Sequence, residues 1–123
     1  MGESVVWFLK KRRDIIYKLM TEIRYYTDVE EFISTLQKPA RTKVTESLDL
    51  LEEFGEDLMM PHCKKIKKNL FELRIGGKQK VRIFYTFYKG AIFLLHGFVK
   101  KTTRIPEREL DVTLQRLKEF DSI

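Results

Sequence analysis

The sequence contains one cysteine, Cys63, and no pair of residues at the spacing of metal ligands. A single thiol cannot form an internal disulfide, and proteins without disulfides are typical of reducing compartments, so we expect a cytoplasmic protein. The two histidines, His62 and His96, lie far apart in the chain, and neither forms a ligand pattern with Cys63. We predict neither a metal site nor a cofactor.

Long hydrophobic runs are also absent. The longest, residues 91–95, has the length of a strand, whereas a membrane-spanning helix needs roughly 18 apolar residues. Near the N-terminus, the apolar residues precede the basic ones, which is the reverse of a secretory signal. We expect no secretion and no membrane partner. Residues 1–19 are interpreted as an N-terminal extension, either a docked or frayed segment or a basic amphipathic one, and Met20 offers an alternative start.

Several motifs of common enzyme classes are missing as well. The sequence has no Gly-x-x-x-x-Gly-Lys-Ser/Thr phosphate loop, no Gly-x-Gly-x-x-Gly dinucleotide motif and no Gly-x-Ser-x-Gly nucleophile turn. Because these patterns supply the phosphate cradle or the nucleophile, their absence removes support for ATPases, dinucleotide enzymes and serine hydrolases.

What the sequence does contain is an uneven distribution of charge. Its 123 residues carry 24 Lys+Arg and 18 Asp+Glu, a formal net charge of +6. Residues 28–57 hold nine acids and three bases, whereas residues 58–104 hold twelve bases and one acid, Glu72. Such segregation is typical of a face that binds phosphates, although an ordinary solvated lysine-rich surface has the same composition.

The hydrophobic pattern predicts one α+β domain over residues 20–123, because a chain of this length supports a single core. A strand rich in aromatic and β-branched residues is expected over residues 21–26. Thr27 and Glu30 are then spaced as a capping box, which predicts a helix over residues 29–36.

Helix and strand signals continue along the rest of the chain. A second amphipathic helix follows Pro39 and is expected to end at Gly55. The period then changes to two, which predicts three consecutive strands joined by short glycine turns, and a last helix begins at Pro106. The order β-α-α-β-β-β-α indicates a mainly antiparallel sheet with helices packed on one face.

Two arginines occupy polar positions of adjacent predicted strands. Because successive side chains of a strand point to opposite faces, Arg74 and Arg82 should both lie on the face away from the helices. Guanidinium groups hold phosphate oxygens bidentately and stabilise negative charge that develops on them. The pair is therefore a candidate site for a scissile phosphate, and the alternative is an ordinary ion pair of either arginine with Glu72.

Further polar groups follow the last predicted strand. His96, Lys100 and Lys101 are candidates for moving protons or neutralising phosphate, and Arg104 follows them. The alternative for His96 is a core residue with a polar partner. A metal-free set of this kind suits RNA, because the 2′-OH is a built-in nucleophile that DNA lacks.

Other residues are candidates for binding RNA. Phe84 and Tyr88 lie on the same predicted face as Arg82 and are candidates for stacking a base, with packing by neighbouring segments as the alternative. The basic residues proposed to contact RNA or the ribosome are Lys64, Lys65, Lys67, Lys68, Lys78, Lys80 and Arg104.

Three strings of residues carry a resemblance to a known family. They are Leu70-Phe71-Glu72-Leu73-Arg74, Val81-Arg82-Ile83-Phe84-Tyr85 and His96-Gly97-Phe98-Val99-Lys100-Lys101-Thr102. Together they resemble the HigB-type, phage Gp49-like branch of the RelE/ParE toxin superfamily, over about residues 28–120. The resemblance implies a RelE-like α+β toxin of a bacterial type II toxin–antitoxin system, an endoribonuclease that cleaves mRNA in the ribosomal A site and inhibits translation. It also implies a HigA-like helix-turn-helix antitoxin as partner.

The resemblance implies roles for individual residues as well. Arg82 matches the family's strand arginine that contacts the scissile phosphate, and Arg74 matches the basic position on the preceding strand. Lys100 and Lys101 match the basic group after the last strand. No tyrosine or histidine follows Arg104, so the general base stays unassigned among His96 and the lysines.

Three other functions stay open from the sequence. A ParE-like topoisomerase inhibitor would use the same fold without nuclease activity. A non-catalytic, phage-derived module would bind nucleic acid or a partner only. In a purely structural interpretation, the basic face would dock an acidic peptide.

Overall fold

The computed structural model describes residues 22–121. The predicted extension over residues 1–19 and the alternative start at Met20 lie outside the described residues. The regular elements are β1 (Ile23–Tyr25), α1 (Thr27–Ser34), α2 (Lys38–Phe54), a short 3-10 helix (Gly55–Asp57), β2 (Cys63–Lys67), β3 (Leu70–Ile75), β4 (Val81–Tyr88), β5 (Ala91–Val99) and α3 (Glu107–Asp121).

The five strands form one sheet in the order β1-β5-β4-β3-β2. Only β1 and β5 run parallel, and the other neighbours are antiparallel. The turn between β4 and β5 consists of Lys89 and Gly90, both with positive φ, the conformation of a tight hairpin turn. The predicted α+β class with a mainly antiparallel sheet is confirmed. Within residues 22–121, no helix is long and apolar enough to cross a bilayer.

The sheet has one strand more than the sequence predicted. β2 forms in a segment where the sequence indicated no strand, and it lies at the edge of the sheet, paired with β3. Three of its five residues are lysines and only Cys63 is buried, so the alternation that marks a strand is nearly absent. Charged residues of this kind are common on edge strands, because they discourage pairing with other chains.

Helices α1 and α2 cover one face of the sheet. Val29 of α1 and Val44 and Leu51 of α2 are fully buried in a core cluster with alternate residues of the strands. The chain approaches closely at Gly97 of β5, where a Cβ atom would lie 2.8 Å from Cδ2 of Phe32 in α1. A glycine therefore lets α1 sit directly on the central strands.

The sequence correctly predicted where α2 ends but not how α1 is capped. α2 ends at Gly55, whose φ of 53° is the left-handed conformation that glycine adopts readily, as the sequence indicated. The capping box is wrong, because α1 begins at Thr27 and its N-cap is Tyr26, without a side-chain cap bond. The Tyr26 hydroxyl donates to Glu119 of α3, a contact between residues distant in sequence.

Helix α3 packs on the opposite face, so the prediction that all helices share one face is wrong. Leu117 of α3 forms a second core cluster with Phe84 of β4 and with Leu95 and Phe98 of β5. The physical reason is that the central strands are apolar on both faces: Phe84 is buried next to Ile83, which belongs to the first cluster. A sheet of this kind requires cover on both sides.

Arg116 of α3 connects the helices on the two faces around one edge of the sheet. Its guanidinium donates to both carboxylate oxygens of Asp28 in α1, at 2.9 and 2.7 Å, and to the carbonyl oxygen of Leu95 at 2.7 Å. It also lies over the Tyr26 ring, 4.3 Å from the centroid. The hydrogen bond from Arg116 is the main reason why the pKa of the Asp28 carboxyl is lowered from its ordinary value.

We expect Asp28→Asn to lower the free energy of unfolding at pH 7 by about 0.5–1 kcal/mol, a modest loss because the carboxylate is half-exposed and screened by solvent. A carboxyl whose pKa is lower in the folded state stabilises the fold above its unfolded pKa of about 3.9, and this stabilisation is lost as the pH falls through the folded pKa. The difference between the wild type and Asp28→Asn should therefore shrink at pH 3. Urea unfolding at both pH values measures it.

The matched control for this measurement is Asp111→Asn. Asp111 is exposed on α3 and forms no salt bridge within residues 22–121. Its substitution should leave the free energy of unfolding nearly the same as in the wild type. An Asp28→Asn loss that is equal at pH 7 and pH 3 would show that the carboxylate charge is not what stabilises this contact.

Candidate functional site

Arg74 of β3 and Arg82 of β4 are direct cross-strand partners. Their neighbours Leu73, Ile75, Val81 and Ile83 belong to the core cluster beneath α1 and α2. Both arginines therefore lie on the other face of the sheet, at the end that α3 leaves uncovered. The sequence pattern was sufficient to predict this arrangement, because the period of two holds throughout both strands.

The two arginines line an open depression of about 840 Å³. It lies between the β3–β4 loop and the segment after β5, and the backbone N–H of Lys100 joins these segments by donating to the carbonyl oxygen of Lys80 at 2.6 Å. The residues that line it include six bases and no acid: Arg74, Lys78, Gln79, Lys80, Arg82, Val99, Lys100, Lys101, Thr102 and Thr103. We call this surface the cationic depression. Its charge favours an anionic ligand.

Arg82 lies at the floor of the cationic depression and is only 7% exposed. Its Nη1 donates to the carbonyl oxygens of Val81 at 3.0 Å and Ile75 at 3.4 Å, and these bonds fix the guanidinium. Burial lowers the pKa of Arg82, Arg74 lowers it further, and Glu72 opposes both. Because the ordinary value for arginine is so high, the group stays charged at neutral pH.

Arg74 also forms the ion pair that the sequence offered as an alternative. Its Nε lies 3.7 Å from Oε1 of Glu72, two residues earlier on the same strand, and its side chain is 31% exposed. Glu72 itself is buried. The two interpretations of these residues therefore coexist, because Arg74 contacts a carboxylate below it and still lines the cationic depression.

His96 does not line the cationic depression. Its Nε2 lies 2.7 Å from Oε1 of Glu109 in α3, and its ring stacks beside Phe98 at a centroid distance of 6.3 Å. This is the alternative that the sequence left open, a partly buried histidine with a polar partner. Lys100 and Lys101, by contrast, both line the cationic depression.

The remaining basic residues lie partly in the cationic depression and partly outside it. Lys78 and Lys80 line the cationic depression, whereas Arg104 is exposed beyond it. Lys67 lines a separate groove of about 550 Å³ beside α3. The other lysines of β2 and of the turn after it are exposed along the sheet edge: Lys64, Lys65 and Lys68.

Of the two alternatives that the sequence left open for Phe84, base stacking or packing, the structure shows packing. Phe84 is 0% exposed and stacks on Phe98 at 5.9 Å inside the second core cluster. Tyr88 makes inclined ring contacts with Phe93 and Phe120 at 6.2 and 5.4 Å. Both aromatic residues serve the attachment of α3, because the face that looked open in the sequence is covered there.

The cationic depression also includes residues that sequence reasoning did not single out. Gln79 anchors the β3–β4 loop, because its Oε1 accepts from the backbone N–H of Gln37 at 2.9 Å. Thr103 lines the surface, and Thr102 Oγ1 donates to the carbonyl oxygen of Arg104 at 2.6 Å, which shapes the turn. Their only signal in the sequence is proximity to the basic residues. Over residues 22–121, no cluster of His, Cys, Asp and Glu could hold a metal ion.

Comparison with known proteins agrees with this architecture. Residues 31–118 match the model of the family described as phage derived protein Gp49-like (DUF891). Among solved structures, the chain is similar to the toxin RelE of E. coli, in a free-state form with two arginine-to-alanine mutations. The TM-score is 0.60 at 10% identity, and the similarity covers 80% of this chain and 99% of that chain. No curated protein sequence matches. Since the family model spans most of the sequence, the chain belongs to the phage-derived Gp49-like family, and its fold is similar to that of the toxin RelE.

Proposed function

We propose that the protein is the toxin of a bacterial type II toxin–antitoxin pair and that it cleaves mRNA on the translating ribosome without a metal. The observation that carries the proposal is the cationic depression, where two apposed arginines and four lysines meet with no acid on the lining. Such a surface suits the phosphodiester of RNA, whose affinity for basic groups comes largely from counterion release. The family and the RelE-like fold support the toxin assignment.

The proposed reaction needs little from the protein beyond charge and orientation. The 2′-oxygen of one nucleotide forms a bond to the adjacent phosphorus, the bond to the 5′-oxygen of the next nucleotide breaks, and a proton passes from the first oxygen to the second. Arg82 and Arg74 stabilise the negative charge that builds on the phosphoryl oxygens. Lys100 and Lys101 are the candidates for proton transfer inside the cationic depression. His96 is held by Glu109 outside it.

What the cationic depression offers supports the proposed dependence on the ribosome. It presents charge, but the two aromatic residues considered for base stacking are packed beneath α3. Charge alone holds the backbone without fixing the attacking oxygen in line with the leaving group, and this alignment contributes several kcal/mol to catalysis. We propose that the ribosomal A site supplies the alignment and that Lys64, Lys65 and Lys68 contact ribosomal RNA. The proposed antitoxin is a HigA-like helix-turn-helix protein, and the proposed location is the cytoplasm.

The test is induced expression in a bacterial host, with the 5′ ends of two reporter transcripts mapped. One transcript is translated, and the other differs only in a mutated start codon. We expect growth arrest and new 5′ ends inside the translated reading frame alone. Growth arrest with a DNA-damage response and intact transcripts would instead indicate a ParE-like topoisomerase inhibitor. Harmless expression with intact transcripts would indicate a non-catalytic binding module.

A further inference from the structure

Glu72 is the one acidic residue of the basic segment, residues 58–104, and it is 3% exposed. It lies on the same face of β3 as Arg74, two positions before it, and its cross-strand partner is Phe84, two positions after Arg82 on β4. The carboxylate therefore sits beneath the cationic depression, at the inner side of both arginines. It is not among the residues that line the surface.

The hydrogen-bonding capacity of the Glu72 carboxylate is not fully used within the described residues. Oε1 lies 3.7 Å from Arg74 Nε, a contact of opposite charges that is too long for a hydrogen bond. Oε2 is buried without a hydrogen-bond partner in the described part of the chain, and the same holds for Nε of Arg82. A nearby negative charge is consistent with the effect of Glu72 on Arg82, since Glu72 raises the pKa of this guanidinium, although burial lowers it more.

A buried carboxylate at this position does not by itself stabilise the fold. Burial of a charge carries a desolvation penalty of several kcal/mol, which an ion pair repays only with good geometry. The two guanidinium groups, in contrast, need a negative neighbour, because like charges on directly opposite residues of a sheet repel each other. Arg74 and Arg82 are such a pair.

We propose that Glu72 is a positioning residue, whose buried carboxylate holds Arg74 and Arg82 close together beneath the scissile phosphate without touching the RNA. This inference rests on the proposed nuclease function. It predicts that loss of the negative charge affects binding and turnover in opposite directions. The cationic depression becomes more positive and binds RNA at least as well, while Arg74 moves away from Arg82, which its backbone bonds hold in place, and the pair stabilises the transition state less.

Glu72→Gln keeps the size of the side chain and removes the charge, so it is the decisive variant. We expect the maximal rate of single-turnover cleavage on mRNA-programmed ribosomes to fall by about 10- to 100-fold, since small misplacements at a reacting centre cost up to this much. The half-saturating concentration should stay the same or decrease. The matched control is Glu22→Gln, which removes the carboxylate of the exposed Glu22–Arg24 pair and should change neither quantity.

A second readout does not depend on cleavage. The Nε–H signals of Arg74 and Arg82 in ¹H–¹⁵N spectra, assigned with arginine-to-lysine variants, report the surroundings of each guanidinium. Glu72→Gln should shift both signals and leave that of Arg116 in place, because Arg116 pairs with Asp28. Signals of Arg74 and Arg82 that match the wild type, or a maximal rate within twofold of it, would overturn the proposal. An equal loss of rate and binding would also overturn it.

The two proposals fail in different ways. If the wild type does not cleave while Glu72→Gln still moves both arginine signals, the nuclease function is wrong and the positioning role stands. If Glu72→Gln does not fold, the cleavage rate and the arginine signals are both measured on Glu72→Asp instead. This variant keeps the negative charge but places it one methylene farther from the arginines. Because a small misplacement lowers the rate, we expect the maximal rate to be about two- to tenfold lower. The half-saturating concentration should not change. Wild-type values for Glu72→Asp would overturn the positioning role.

Discussion

Arg82→Ala is expected to lower the rate of mRNA cleavage by about 100- to 1000-fold, the cost of removing one preorganised group that stabilises charge in a transition state. Arg82 is held at the floor of the cationic depression by bonds to two backbone carbonyls, so it meets the phosphate without reorganising. Its burial also lowers the local dielectric response, which strengthens its interaction with an anion. Cleavage on programmed ribosomes measures the rate, and expression in the host should no longer arrest growth.

Arg82→Lys separates the charge from the shape of the group. A lysine keeps the positive charge but loses the planar fork that contacts two oxygens at once, so we expect it to recover less than a tenth of the wild-type rate. Arg24→Ala removes an exposed arginine of β1, remote from the cationic depression, and serves as the control with a wild-type rate. Thermal unfolding of each variant confirms that it is folded. Wild-type cleavage by folded Arg82→Ala would contradict both the site and the mechanism.

The sequence was sufficient to predict that Arg74 and Arg82 lie together on one face of the sheet, because the information for this arrangement is local and periodic. Arg74 and Arg82 lie in strands with unbroken alternation, and a hairpin between two such strands leaves them one arrangement on the same face. Lys100 follows directly from the end of β5, so its place beside Lys80 depends only on the pairing of neighbouring strands. These features require no knowledge of which helix lies on which face.

The features that the sequence did not predict depend on contacts between distant segments. The N-cap residue of the first helix, Tyr26, makes no side-chain cap bond and instead contacts α3, near the end of the chain. β2 carries almost no hydrophobic alternation, and its pairing with β3 alone makes it a strand. Helix α3 covers the face of the sheet that carries Phe84 and Leu95. The sequence did not predict this, because an apolar residue on the second face of a strand can be either buried under a helix or exposed to solvent.

Phe84→Ala is expected to lower the free energy of unfolding by about 3–5 kcal/mol, the usual cost of emptying a fully buried aromatic position. The ring is 0% exposed and lies between Phe98 and the residues of α3, so its loss leaves a cavity where the helix meets the sheet. This is a large part of the stability of a small domain. Phe84→Leu fills most of the volume and should cost about 1–1.5 kcal/mol. Urea unfolding measures both variants.

The same variants decide between a packed ring and one that stacks a base of the RNA. If Phe84 only anchors α3, the fraction of Phe84→Ala that is folded at low temperature should cleave mRNA at close to the wild-type rate, because Phe84 is not among the residues that line the cationic depression. A stacking residue would behave in the opposite way. Its removal would leave the free energy of unfolding within about 0.5 kcal/mol, as for a surface position, and would weaken RNA binding by about 1–3 kcal/mol. Such a result would mean that Phe84 is exposed in the free protein and that α3 does not cover this face of the sheet.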